Sequence, residues 1–214
     1  MSYLTQIVVD YERAVRLLHI RDTYDWHQRV WQAFKGRDGE KRDFLTRVDE
    51  MDEAYRLLIV SPEAPAKPDW CPTDCFKTKV IPDDFFAAGH FRFSLLANPT
   101  RKVRGDKDGN RTKNGRRMPV TKREDLIAWM QRKAEAGGFE IGDPESLRTV
   151  PKPRSYFQKG ATQGVHYAVE FQGVLAVTDA ATFRTTFTTG IGSAKAFGFG
   201  LLALAPAQGN ISPA

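Results

Sequence analysis

Apolar residues recur with two different periods along this chain. Tyr3–Val9 (YLTQIVV) is a short β-branched run that predicts a strand. From Asp22 or Thr23, either able to cap a helix, the spacing becomes helical and predicts an α-helix to about Phe34. On it Trp26, Val30, Ala33 and Phe34 share one face, predicted to pack on a sheet. Tyr24, His27 and Trp31 fall on an adjoining face. Arg42–Asp49 and Ala54–Ser61 flank an acidic MDE turn and predict a hairpin. The Pro-rich stretch 62–75 predicts a loop with room for one short helix, and Phe76–Ile81 a closing strand. The order is β-α-β-β-(α)-β.

The same order then recurs. Gly89–Ala97 predicts a strand. Lys122–Ala136 carries Leu126, Ile127, Trp129 and Met130 at helical spacing, with a Thr121/Glu124 capping box before it and Gly137-Gly138 to end it. Leu147–Phe157 and Val165–Thr178 predict a second hairpin around KGATQG. Asp179 predicts the cap of a helix ending near Thr189, and Phe199–Leu204 a last strand. Two βαββαβ units predict an α+β protein of two tandem ferredoxin-like domains, residues 1–86 and 87–214. Identity between the halves is low, so the repeat rests on element order.

Composition narrows the class. Hydrophobic residues make up 41% of 214, enough for a packed core. No apolar run approaches the length of a membrane span, and the start lacks the pattern of a signal peptide. Cys71 and Cys75 form neither a disulfide framework nor a zinc site, which fits reduced thiols in a cytoplasm. The net charge of +6 is concentrated. Residues 98–123 hold ten Lys or Arg against two Asp, so the remainder is net acidic. A local basic patch is the footprint of a nucleic-acid surface. A solvated loop is the plainer alternative, and a membrane surface fits less well because no helical aromatic stripe accompanies the charge.

Three groups of residues carry candidate chemistry. Tyr24 and His27 are neighbours at the edge of an apolar stripe, where an imidazole and a phenol can serve acid–base chemistry. Periodicity alone favours a structural histidine there. The other histidines form no metal-ligand spacing, and no metal or small-molecule cofactor is expected. In GIGSAKAFGFGLL, Gly190, Gly192 and Lys195 can approach a phosphate, or the glycines can serve only a tight helix-to-strand connection. It is neither a Walker nor a Rossmann motif. In the basic segment Arg101, Lys102, Arg104, Arg111, Lys113, Arg116 and Arg117 can engage phosphates from a mobile loop. Lys152, Arg154 and Lys159 form a smaller cluster at the second hairpin, suited to the backbone of a structured RNA.

The chain resembles the CRISPR-associated precursor-RNA endoribonucleases of the CasE family, from type I-E Cascade systems. The resemblance runs to about Pro206. It is carried by YLTQIVV, Tyr24-x-x-His27, FRFSLLANPTR, IAWMQRKAEAGGF, VEFQGVLAVTD and, most specifically, GIGSAKAFGFGLLALAP. It implies two ferredoxin-like domains, recognition of the stem-loop of each CRISPR repeat, and one cut at its base. It also implies retention of the product among the other Cascade subunits. The 2′-hydroxyl of RNA is then the nucleophile, His27 the general acid or base and Tyr24 its helper. The products are a 2′,3′-cyclic phosphate and a 5′-hydroxyl, formed without added metal. The competing readings are a non-catalytic RNA-binding subunit and an assembly protein whose basic loop docks acidic partners. A zinc hydrolase lacks ligands.

Overall fold

A computed structural model describes residues 1–37, 40–104, 116–159 and 162–207. The first half builds a four-stranded antiparallel sheet. β1 (Ser2–Asp10) lies between β3 (Ala54–Ser61) and β4 (Phe76–Ile81), and β2 (Leu45–Glu50) pairs with β3, giving the order β2-β3-β1-β4. This is the ferredoxin-like order. Helix α1 (Thr23–Trp31) follows β1 and a π-helical turn at Arg13–Leu17. Where a second helix would stand, residues 62–75 form a loop with one 3-10 turn, Thr73–Cys75, as the prolines require.

Alternation along β3 explains how this sheet is buried. Leu57 and Ile59 join Ile7, Val9, the α1 residues Trp26 and Val30, and Ala33 and Phe34 in one core. The helix ends at Trp31, short of the expected Phe34, and Ala33 and Phe34 follow it in a tighter turn of i,i+3 bonds. Val60, with Leu58 packed nearby, joins the core of the second half. Period-2 strands with both faces apolar therefore seat α1 and the second half on one sheet.

The second half repeats the topology. β5 (His90–Ala97) and β12 (Val169–Val177) are central, β13 (Leu202–Pro206) borders β5, and β8 (Phe139–Ile141) and β9 (Arg148–Pro151) share the far edge of β12. Helices α2 (Arg123–Glu135) and α3 (Ala180–Thr189) supply Leu126, Trp129, Met130, Phe183 and Phe187 to the core. Phe86, on the 3-10 turn Asp83–Ala88, packs against Phe183 and Phe187.

Four expectations need correction. The capping box at Thr121 and Glu124 does not form, because the helix begins at Arg123 and Lys122 is its N-cap, without a side-chain bond. The second hairpin is not one continuous pair. Pro151 and Pro153 interrupt its first strand, and β10 (Ser155–Lys159) and β11 (Thr162–His166) leave the sheet as a separate ribbon. The last strand begins at Leu202, since Gly200 (φ +89°) bonds back to Ile191 instead of extending. The basic segment is more than a loop. Its flanks β6 (Thr100–Val103) and β7 (Arg116–Pro119) pair as an antiparallel ribbon.

Candidate functional site

Asp22, in extended conformation, caps α1 by accepting from the backbone N–H of Tyr24 (2.7 Å) and Asp25 (3.0 Å). The cap fixes the helix register and hence the direction of His27. With Trp26 and Val30 buried, His27, Tyr24 and Trp31 are left half-buried along the edge of the helix. The Tyr24 and His27 ring centroids lie 6.3 Å apart, and the Trp31 indole N–H donates to His27 Nε2 at 3.1 Å. Phe44, fully buried, backs the group: its ring is 6.4 Å from His27 and 4.9 Å from Trp31.

The ribbon β10–β11 and the glycine-rich turn both reach α1. Helix α1 packs against β10, against β2 and against the 3-10 turn Lys195–Phe197. Thr23 Oγ1 and Ser155 Oγ lie 3.4 Å apart. A cleft of ≈ 560 Å³ lined by Arg21, Thr23, Tyr156 and Gly164 lies at that contact. A second, of ≈ 650 Å³, is lined by Thr23, Arg47, Lys152, Ser155, Glu170 and Phe197. An aromatic stack fastens the ribbon to the glycine-rich turn. Phe157 lies 4.8 Å from the His166 ring and 4.3 Å from Phe197, and His166 meets Phe199 at 5.4 Å. Gly164 makes this possible, since a Cβ there would collide with the Phe157 ring. His166 is buried, and burial pushes its pKa below the usual histidine range. Tyr156, on the outer face, is 65% exposed.

The structure distributes the sequence-derived basic residues among different environments. Arg101, Lys102, Arg104, Arg116 and Arg117 are exposed on the β6–β7 ribbon or at its mouth. Lys102 stands directly opposite Arg117, a like-charge pair that costs stability unless an anion joins it. Arg111 and Lys113 lie outside the described residues, and of Lys159 only the backbone, at the end of β10, is described. Arg154 places its guanidinium 4.9 Å from the Tyr167 ring centroid. Lys152 instead pairs with Glu170 at 2.9 Å.

The glycine-rich motif sits beside α1, but not all of it points outward. The Gly190 N–H bonds to Thr186 O (2.8 Å), and Ile191 N–H to Gly200 O (2.9 Å). A Cβ at Gly190 would meet Leu45 at 2.9 Å and Gly200 O at 3.0 Å, so this glycine serves close packing at φ +77°. Gly192 packs near Trp129. The Lys195 ammonium turns back onto the C-terminus of α3, donating to Thr189 O at 2.6 Å. Burial, then Arg42 and Lys133 nearby, lower its pKa.

Several residues of this site carry no local signal in the sequence. Arg42 donates to Lys195 O (2.5 Å), lies over Phe44, and is shifted down by burial alone. Asn98 is buried, accepts from the Tyr167 N–H through Oδ1 (3.2 Å), and takes the Ser193 hydroxyl on its carbonyl (3.3 Å). It thereby joins the base of one ribbon, the end of the other and the glycine-rich turn. Arg47 on β2 is buried among Asp49 (2.6 Å), Ser94 Oγ (2.8 Å) and Glu170 (2.9 Å), bridging the two sheets. Burial would raise the Glu170 carboxyl, but hydrogen bonds from Lys152, Ser94, Gln172 and Arg47 outweigh it and hold the group at about 2.

Among the described residues, no three of His, Cys, Asp and Glu are grouped to hold a metal ion, and no helix is long and apolar enough to cross a membrane. Two tandem ferredoxin-like sheets thus carry a histidine on a helix that packs against a ribbon and a glycine-rich turn. The "CRISPR system Cascade subunit CasE" of Escherichia coli K12 is 32% identical over 193 residues, covering 87% of this chain and 93% of the relative. The "CRISPR-associated endoribonuclease Cse3" of Thermus thermophilus is 25% identical over 219 residues, 95% of this chain and all of the relative. The crystal structure of the CRISPR-associated protein Cas6e from E. coli K-12 superposes with a TM-score of 0.70 at 28% identity, covering 97% of this chain and 100% of that one. The family model for CRISPR-associated protein matches residues 2–206, so this chain belongs to that CRISPR-associated protein family.

Proposed function

We propose that this protein is a metal-independent endoribonuclease that binds the stem-loop of a CRISPR repeat. It cuts precursor crRNA at the hairpin base and keeps the product within a Cascade assembly in the cytoplasm. The observation that carries this reading is the position of His27. It stands half-buried on α1, the helix that packs against β10 and the glycine-rich turn. The division into residues 1–86 with the catalytic helix and 87–214 with the RNA-binding ribbons belongs to the same reading.

RNA brings its own nucleophile, so the protein must align it and manage two protons. The 2′-oxygen attacks phosphorus as the P–O5′ bond breaks. His27 transfers a proton and Tyr24 orients the 2′-hydroxyl. The products carry a 2′,3′-cyclic phosphate and a 5′-hydroxyl. Arg101, Lys102, Arg104, Arg111, Lys113, Arg116 and Arg117 hold phosphates from one ribbon, with Arg154 and Lys159 at the other. Gly192 contributes to the RNA face of the turn, while Gly190, Lys195 and Lys152 support it by shaping the turn and the ribbon base.

A repeat hairpin incubated with the protein in EDTA is the test. The wild type should cut it, and His27→Ala should lose at least about a hundredfold in rate while still binding. Cleavage by His27→Ala at the wild-type rate would overturn the site. The indole bond on His27 Nε2 favours a second reading, a non-catalytic RNA-binding subunit, for which the wild type itself would leave the hairpin whole.

A further inference from the structure

We infer that Trp31 is a positioning residue for His27. Its indole N–H covers the Nε2 lone pair in the free protein, holds the imidazole neutral with its proton on Nδ1, and gives way when RNA seats. This rests on His27 being the proton-transfer group, and adds which nitrogen acts and what must move first.

The geometry leaves one protonation pattern. An indole N–H is a donor and never an acceptor, so at 3.1 Å it faces a nitrogen with a free pair. A neutral imidazole has one such nitrogen, and an imidazolium has none. The pairing is local, four residues apart on one helix, and therefore holds whenever α1 is formed. Trp31 is fixed from behind. It meets Phe44 edge-on at 4.9 Å, and Phe44 stacks on Phe34 at 4.4 Å, both buried. Trp31 itself is half-buried, so part of the residue remains exposed.

The chemistry then requires a release. As a base, His27 takes the 2′-hydroxyl proton onto a nitrogen lone pair while the 2′-O–P bond forms. As an acid it must first be an imidazolium, which gives its proton to the 5′-oxygen as the P–O5′ bond breaks. Either role needs Nε2 uncovered. An incoming hydroxyl or phosphate must replace the indole N–H.

Charged groups around the pair come from several elements. On and before α1 are the Arg21–Asp25 pair, and Arg29, which donates to Leu18 O. Tyr24 is the titratable neighbour on the same helix. Across Phe44 lies Arg42, and the glycine-rich turn brings Lys195. On β2, which packs against α1, Glu50 accepts from Tyr11, and Arg47 and Asp49 are paired with each other as Arg47 reaches Glu170 in the other sheet; on β10 the phenol of Tyr156 is exposed. Trp31→Phe leaves all of them in place and removes only the donor.

The experiment is ring-nitrogen NMR of the full-length protein labelled with ¹⁵N-histidine and ¹⁵N-tryptophan. The free wild type should show His27 protonated on Nδ1 and bare on Nε2. Saturating repeat hairpin carrying a 2′-deoxy residue at the cut should move the Trp31 indole resonance. In Trp31→Phe the tautomers should mix, and the acidic limb of the cleavage pH profile should rise by about half a unit to one unit, the worth of one hydrogen bond to the neutral form. A protonated Nε2 in the free wild type, an indole unmoved by RNA, or an unshifted acidic limb in Trp31→Phe would each overturn the inference. The wild-type spectrum decides even if the variant folds poorly. Failure of the catalytic reading is distinguishable. His27→Ala would then cut normally, whatever the Trp31–His27 spectrum shows.

Discussion

The two sheets meet at a basic residue, and the β6–β7 ribbon is built of basic residues, yet the two regions treat charge in opposite ways. Arg47 is buried and every direction of its guanidinium is answered, by Asp49, Ser94 and Glu170, with Lys152 closing the set on the far carboxylate oxygen. Lys102 and Arg117 are exposed and face each other across a strand pair. A compensated buried network fixes one geometry between two elements. An uncompensated pair on the surface stores repulsion that an anionic ligand relieves. The first region holds the molecule together, and the second, on the function proposed above, holds RNA phosphates.

Substitutions can break this contrast. Arg47→Ala should have the largest effect, roughly 3–5 kcal/mol of stability in chemical denaturation, because it leaves Glu170 buried without its main cross-sheet partner. A loss below about 1 kcal/mol would mean that the network is no lock. Acid titration should sharpen the same point. Glu170 is held at about 2, below its ordinary 4.5, so its contribution is complete above pH 4.5 and is lost as pH falls toward 2. Wild type should lose on the order of 3 kcal/mol across that window, and Glu170→Gln should flatten this part of the curve. A parallel curve for the variant would refute it.

The ribbon should respond in binding and not in stability. Lys102→Ala with Arg117→Ala should weaken hairpin binding and flatten its salt dependence by about one unit of slope for each phosphate no longer neutralised. Folding stability should stay level or rise by up to about 1 kcal/mol, since a like-charge pair is gone. Reduced stability with unchanged salt slope would reverse the assignment. The smallest effect belongs to His166. Its pKa is lowered by burial, so the folded state loses stability as pH falls from about 6.5 through that lowered value. His166→Phe should remove this loss and keep the ribbon docked in acid, read by thermal melts at pH 7 and pH 5. Equal melting shifts in both proteins would show that the stack does not sense pH.

The α1 site shows how far the chain alone can be read. The buried Trp26 and Val30 and the neighbouring Tyr24, His27 and Trp31 were legible from a 100° period, and Asp22 is the residue that caps, while Ala33 and Phe34 are buried from a turn beyond the end of the helix at Trp31. The bond from Trp31 to His27 is equally local, but spacing does not say which nitrogen meets the indole. The glycine-rich turn was legible as a motif and ambiguous in purpose. Its Gly190 packs on Leu45, a residue of the other half of the chain, so no local pattern reveals the reason.

By itself the sequence determined the order of the elements of the first half, the three helices and the central strands of the second, the concentration of positive charge in residues 98–123, and the pair Tyr24 and His27 on one helix. These depend on periods of two and 3.6 and on neighbours within a few residues. The tertiary structure decided the rest. It peeled β10–β11 from the sheet, docked it through Phe157, His166 and Phe197, turned Lys195 inward, and set Arg47 against Glu170 across 123 positions. Those outcomes depend on which distant atoms share a buried space. Desolvation there makes each unpaired charge or donor costly, so the partners settle the role of each residue.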